Sequence, residues 1–211
     1  MSGPHILGTF DDALADLRLN VLDLGRVART NLELSITGLL RRETSLCEQV
    51  IAKEKTMKRL ASRADNDAIE IITRFQPVAS DLRFVLTSLK VAYNLERIAN
   101  HVVKIAKRTP KILQISEVSE VNLLEPLFSR SNDALSQAIL AYNDRNPSLV
   151  SSLSEDDEEI DQLYKKARKT FTSAIEETPA HHKELIHLMF VARSLERIGD
   201  HAVHIAETLQ R

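Results

Sequence analysis

The stretch Ser194-Leu-Glu-Arg-Ile-Gly-Asp-His-Ala-Val-His-Ile-Ala206 decides how the chain is read. A near copy lies one hundred residues earlier, as Asn94-Leu-Glu-Arg-Ile-Ala-Asn-His-Val-Val-Lys-Ile-Ala106. Both carry apolar residues at three- and four-residue steps, the period of one helix face. Both also carry acid on that face, at Glu96 and Glu196. The chain reads as a duplication whose copies differ in charge: Asn100 corresponds to Asp200, and Lys104 to His204.

Working outward, the sixth helix takes the seam Leu185, Met189, Ala192, Glu196, Gly199, Val203 and Ala206. The third takes Val78, Leu82, Val85, Leu89, Ala92, Glu96, Ala99, Val103 and Ala106. Before each lies another helical seam. One runs Cys47, Val50, Glu54, Met57, Ala61, Ala64, Ala68 and Ile71. The other runs Val150, Leu153, Asp157, Ile160, Tyr164, Ala167, Phe171 and Ala174, at an offset of 103. A first helix, capped by Thr9, shows Leu14, Leu17, Val21, Leu24, Ala28, Leu32 and Ile36 on one face and continues to about Leu40. Gly25 and Gly38 fall within it and read as positions of close helix packing. Thr44 reads as the cap of the second helix, and a fourth helix runs from Leu123 to Arg145 after a linker over 110–122. Gln76-Pro77, Thr109-Pro110, Asn146-Pro147 and Thr178-Pro179 read as helix breaks, because proline disfavours helix in the residue before it. The expected fold is all-α: two tandem antiparallel three-helix bundles, over residues 9–110 and 120–211.

Composition narrows the function. Hydrophobic residues make up 43% of the 211, enough for a core, while aromatics are 4% and glycines number 5. Sheet sandwiches and glycine-rich nucleotide folds are disfavoured. A net charge of −2 gives no basic field for nucleic acid. The single cysteine, Cys47, excludes an internal disulfide, sits on an apolar seam and fits a reducing compartment. The amino-terminal residues lack a basic-then-apolar leader, and no run reaches the roughly 18 apolar residues of a membrane span. A cytoplasmic chain without direct membrane insertion is expected.

Four seam positions are acidic: Glu54, Glu96, Asp157 and Glu196. One turn on, on the same face, stand Lys58, Asn100, Asp161 and Asp200. Repeat two therefore gathers Asp157, Asp161, Glu196 and Asp200 on two helices of one small bundle. Like charges at this spacing disfavour a helix by a few tenths of a kcal/mol. One buried unpaired carboxylate costs on the order of several kcal/mol. Arg193 or Arg197 can reach one acid, so the economical counter-charge is one or two metal ions on oxygen ligands, as with magnesium or manganese. His201 and His204 would add nitrogen and favour iron, zinc or manganese. In repeat one Lys58 acts as an internal counter-ion and Asn100 removes a charge, so that half is expected to be metal-poor. The plain alternative is that these acids are solvated at the bundle edge.

The strings Arg74-Phe-Gln-Pro-Val-Ala-Ser-Asp-Leu-Arg-Phe84, Asn94-Leu-Glu-Arg-Ile-Ala-Asn100, Glu155-Asp-Asp-Glu-Glu-Ile-Asp161 and Ser194-Leu-Glu-Arg-Ile-Gly-Asp200 resemble the PhoU family of bacterial phosphate-signalling regulators. The resemblance runs from about Phe10 to the end of the chain. It implies two three-helix bundles related by a pseudo-twofold, with metal, sometimes small iron clusters, on an acid-x-x-x-Asp motif in each. Repeat two matches that motif at Asp157, Asp161, Glu196 and Asp200. Repeat one matches at Glu54 and Glu96, while Lys58 and Asn100 depart from it. Glu54, Glu96 and His201 are therefore kept as additional or degenerate ligands, with iron or zinc ahead of magnesium or manganese. Asp81 is typical of the family and is read as a charge favourable to a helix start rather than a ligand. The resemblance implies a non-enzymatic negative regulator that contacts a phosphate ABC transporter ATPase and a membrane sensor histidine kinase. A homodimer is the expected assembly.

Three other readings fit parts of the sequence. A ferritin-like di-metal protein needs two Glu-x-x-His motifs, and only Glu184-Leu-Ile-His187 is present. A histidine phosphotransfer bundle is suggested by His101-Val-Val-Lys104, but Ile105 stands where a glycine is expected. A metal-free helical adaptor working through surface contacts alone is the third.

Overall fold

A computed structural model describes residues 3–114, 119–146 and 153–210, with side chains from Gly8 and, after the last gap, from Asp157. Seven α-helices appear among them: α1 Gly3–Leu40, α2 Thr44–Ala52, α3 Glu54–Phe75, α4 Ala79–Ile112, α5 Leu124–Asp144, α6 Leu153–Glu177 and α7 His182–Gln210. Short 3-10 turns, Ser119–Leu123 and Pro179–His181, lead into α5 and α7. No strand occurs among the described residues.

The seams become the core. Leu17, Val21, Leu24, Ala28, Leu32 and Ile36 of α1 are buried, as are Met57, Ala61, Ala64, Ala68 and Ile71 of α3. Each further buried leucine or isoleucine contributes about 1.5–3 kcal/mol, so periodicity of this length outweighs the weak local propensities. Cys47 lies at 0% exposure, and burial pushes its thiol pKa up, as suits a core residue. Val150 and the Asn146-Pro147 break lie at or outside the edge of the described residues.

Helices α1, α3 and α4 form one antiparallel bundle, α5, α6 and α7 the other, and the two are related by a pseudo-twofold. The most extensive packing in the molecule joins α4 to α7. Asn94 meets His201 and Arg108 meets His187, so these two helices run antiparallel past one another. Helix α4 buries Val91, Leu95, Ile98, Val102 and Ile105 in addition to its seam, a face wide enough for a central helix. The Arg18 guanidinium of α1 donates to the Asn143 carbonyl of α5, a second link between the repeats.

Several local features depart from the sequence reading. Helix α1 starts at Gly3, six residues before Thr9. Thr44 is the first residue of α2 rather than its cap, and Glu43 at the cap makes no side-chain hydrogen bond. The second helix is interrupted at Lys53, whose N–H is shared between the Gln49 and Val50 carbonyls while its backbone stays right-handed. That is one tightened turn rather than a corner. Helix α4 passes through Thr109-Pro110 to Ile112. Buried Thr109 and Ile112 anchor this last turn, and packing there outweighs the one hydrogen bond that Pro110 cannot donate. Gln76 and Arg145 close α3 and α5 in the left-handed region, at φ 49° and 51°.

Candidate functional site

The acids of repeat two meet because α6 and α7 approach closely. A Cβ at Gly199 would stand 2.7 Å from Ile160 Cδ1 and 3.2 Å from its Cγ2, so Ile160 of α6 packs directly against the glycine of α7. Asp157 and Asp161 lie one turn apart on α6, Glu196 and Asp200 one turn apart on α7. Asp157 is raised above the ordinary carboxylate value by burial first, then by Asp200 and Asp161. Glu196 is raised by burial, then by Asp200, with Asp161 contributing further. The four carboxylates therefore share one electrostatic environment, as the seam pattern predicts.

One cation spans part of this set. Arg197 Nη1 donates to Asp200 Oδ2 at 2.8 Å, and its Nε lies 3.4 Å from Glu196 Oε2. The second contact is an ion pair without hydrogen-bond alignment, and Glu196 Oε2 is buried with no hydrogen-bond partner. Asp161 pairs with Lys165 at 3.2 Å, a contact open to water on both sides. The sequence reading allowed an arginine to reach one acid; Arg197 reaches two. Among the described residues no three His, Cys, Asp or Glu side chains are gathered tightly enough to hold an ion as they stand. The donor set fits a hard cation chemically, and Glu196 Oε2 is a buried oxygen without a hydrogen bond, but as the side chains are set Arg197 offsets only part of the charge.

Repeat one has the same frame with other charges. Glu54 accepts from Lys107 at 2.6 Å and from Lys58 at 2.9 Å, and these bonds, the first more than the second, pull its pKa down to about 2. Lys58 is the internal counter-ion expected from the sequence. Lys107, on α4, was not anticipated, because its partner lies on another helix. Glu96 is half-buried on α4. Arg97, Asn100, His101, Lys104 and Lys107 line a cleft with Glu54.

Between the two clefts runs the α4–α7 seam. His201, kept as an additional ligand, donates from Nδ1 to Asn94 Oδ1 at 3.0 Å. Its ring lies 6.1 Å from those of His101 and His204. The pseudo-symmetric bond of His101 is missing, since Ser194 stands where Asn94 does and donates to the Phe190 carbonyl instead. The Nδ1 of His101 is left buried without a partner, and burial pushes the ring down to about 4, with Lys104 and His201 adding to the effect. His187 accepts from Arg108 at 3.1 Å, so the single Glu-x-x-His motif directs its imidazole to an arginine. Asp81 sits in the first turn of α4, as read.

Fold and clefts together define a duplicated three-helix-bundle protein with one acidic and one basic cleft in matching places. The chain belongs to the PhoU family: the PhoU domain matches it twice, over residues 21–109 and 124–209. Among curated relatives, the "Phosphate-specific transport system accessory protein PhoU homolog" of Zymomonas mobilis is 32% identical over 96% of this chain and 86% of its own length. The protein of the same description from Rhizobium meliloti is 31% identical over 99% of this chain and 89% of its own. The crystal structure of PhoU from Pseudomonas aeruginosa superposes with a TM-score of 0.91 at 27% identity, covering 95% of this chain and 96% of that one. PhoU from Streptococcus pneumoniae, at 24% identity and a TM-score of 0.84 over 95% and 94% of the two chains, shares the fold.

Proposed function

We infer that the chain is an accessory regulator of a phosphate-specific transport system, acting as a non-catalytic scaffold. The observation that carries this is the match of both repeats to PhoU domains, along nearly the full length of relatives described in those terms. The partners proposed are the transporter ATPase and a membrane sensor histidine kinase, met by a cytoplasmic homodimer that restrains the phosphate-starvation response. No described helix is long and apolar enough to cross a membrane, which supports docking onto a transporter rather than insertion beside it.

Repeat two is the proposed metal site, with Asp157, Asp161, Glu196 and Asp200 as ligands and iron or zinc ahead of magnesium or manganese. Two raised carboxylates and the buried Glu196 Oε2, which has no hydrogen bond, support it. Metal would supply the charge that Arg197 provides only in part, tie α6 to α7 and stiffen the face a partner reads. Glu54, Glu96 and His201 remain the additional or degenerate ligands: Glu54 is engaged by two lysines, and His201 bonds Asn94 through Nδ1.

Deleting the gene should derepress phosphate-starvation genes at high external phosphate, and the tagged protein should retain the transporter ATPase in a pull-down. A strain whose phosphate response is unchanged by the deletion would end this reading.

A further inference from the structure

The repeat-one cleft is the charge-reversed copy of the acidic one. Glu54, Arg97, Asn100, His101, Lys104 and Lys107 correspond to Asp157, Arg197, Asp200, His201, His204 and Glu207. The first set lines a cavity of about 270 Å³ between α3 and α4. Three fixed cations stand there against one carboxylate, whereas the second set has three carboxylates against one arginine. His204 and Glu207 both act on Asp157, so the corresponding residues do face the same place in repeat two.

The lone acid of the basic cleft is already consumed. Glu54 is shared by Lys58 and Lys107. Among the described residues neither Arg97 nor Lys104 has a carboxylate within ion-pair distance. Arg97 lies over the Tyr93 ring, 4.8 Å from its centroid, which fixes the guanidinium and leaves its N–H edge available. Asn100 offers an amide where repeat two has a carboxylate. An arginine fork, an ammonium and an amide are a donor set suited to an oxyanion. The cavity is smaller than the roughly 300–1,000 Å³ of pockets for drug-sized ligands, so it suits a single ion and its waters better than a nucleotide.

We propose that the repeat-one cleft binds a small tetrahedral oxyanion of the phosphate class, gripped by Arg97 and Lys104 with Asn100 donating. The same chemistry is presented by free phosphate and by a lipid head group; a cleft of this small volume on a chain with no described membrane-spanning helix favours the free ion. The two repeats would then hold ligands of opposite charge in equivalent places. This inference does not depend on metal in repeat two, since phosphate binding is to be measured with and without chelator and should be the same in both.

Calorimetric titration of the full chain with inorganic phosphate tests it. The expected result is saturable binding of one phosphate per chain, displaced by sulfate and not by chloride at equal ionic strength. Arg97→Gln and Lys104→Gln should each weaken it by roughly tenfold to a hundredfold, the range for losing one hydrogen bond to a charged group. Lys104 is exposed, so Lys104→Gln leaves the core alone, and an unchanged melting curve verifies that. Asn100→Asp, which copies repeat two, should abolish binding. No saturable binding at millimolar phosphate would overturn the proposal. So would full affinity in both cation variants, or capture by anionic phospholipid vesicles with none of free phosphate.

Discussion

Glu54 and Asp157 occupy the same position in two copies of one bundle, yet their carboxyls move in opposite directions. Glu54 is pulled down to about 2 by Lys107 and Lys58, whereas Asp157 is raised by burial, Asp200 and Asp161. The seam position is the same; burial and the neighbours differ. A duplicated fold therefore fixes where a carboxylate stands, and a few substitutions one turn away decide whether it is neutralised internally or left to seek an external charge. Lys58 against Asp161, Asn100 against Asp200 and Lys107 against Glu207 carry that decision.

The largest break in the comparison should come from the packing beneath it. Repeat one has Ala99 where repeat two has Gly199, and a Cβ at Gly199 would stand 2.7 Å from Ile160 Cδ1 and 3.2 Å from its Cγ2. Gly199→Val should push α6 away from α7 and cost about 3 kcal/mol, the top of the usual range for overpacking. Thermal melts should show Tm falling by several degrees and metal binding lost with it. Ala99→Gly should cost only about 0.5–1 kcal/mol, through helix propensity and a lost methyl. Equal effects at the two positions would mean that the close approach is not particular to repeat two.

The core was legible because the signal is redundant: six buried residues on one face of α1 leave a single solution, whereas the split of the second helix at Lys53, which makes seven helices of the expected six, leaves its seam unbroken and so gave no signal. The acid seam was legible for the same reason, since a charge on such a stripe stands out. Pairings between helices far apart in sequence were not. Lys107 and Glu54 are 53 residues apart, and nothing local announces their contact. The central place of α4 does have a signal in the sequence: Val91, Leu95, Ile98, Val102 and Ile105 widen its apolar face beyond one seam. Pro110 misled, because a proline rule for isolated helices gave way to the buried anchor at Ile112. The charge reversal between clefts needed the structure to show that Lys104 and Lys107 share a cavity with Glu54.

Metal sharpens the comparison next. At a hundredfold excess over its Kd, a cation bound only by the folded state adds about 2.7 kcal/mol to stability. The melting temperature should rise with metal and fall back with chelator. Asp161→Lys, which installs the Lys58 arrangement, should remove the gain. If protein shown by elemental analysis to hold metal melts identically after chelation, the four acids are not its ligands.

Arg197 offers a smaller effect with a sharper sign. It spans Glu196 and Asp200, whose side chains are 12% and 23% exposed. Arg197→Gln should destabilise the metal-free protein by about 1 kcal/mol, discounted because the guanidinium is half in water. The same change removes a competitor for the carboxylates, so metal affinity should rise. A variant that loses both stability and metal would show that Arg197 organises the ligands rather than standing in for the ion.

The smallest effect is the most direct reading of the asymmetry. Asp157 titrates above its ordinary 3.8, so the folded state retains a proton that the unfolded chain releases. Such a group costs stability at every pH above its folded value, and the cost fades as pH falls toward 3.8. In chelator at pH 7, Asp157→Asn should be more stable than the native chain, an advantage gone at pH 3. Glu54→Gln should behave oppositely: less stable at pH 7, with the deficit shrinking only as pH falls below 4.5 toward 2. The native chain alone cannot report this, because His101, held near 4, and His201, held below 6.5, take stability away as pH falls below 6.5. Urea melts of each variant against the native chain at pH 7, 5.5, 4 and 3 cancel those shared contributions. Difference curves of the same sign would mean that equivalent acids in the two repeats feel the same field, and the charge reversal would lose its physical meaning.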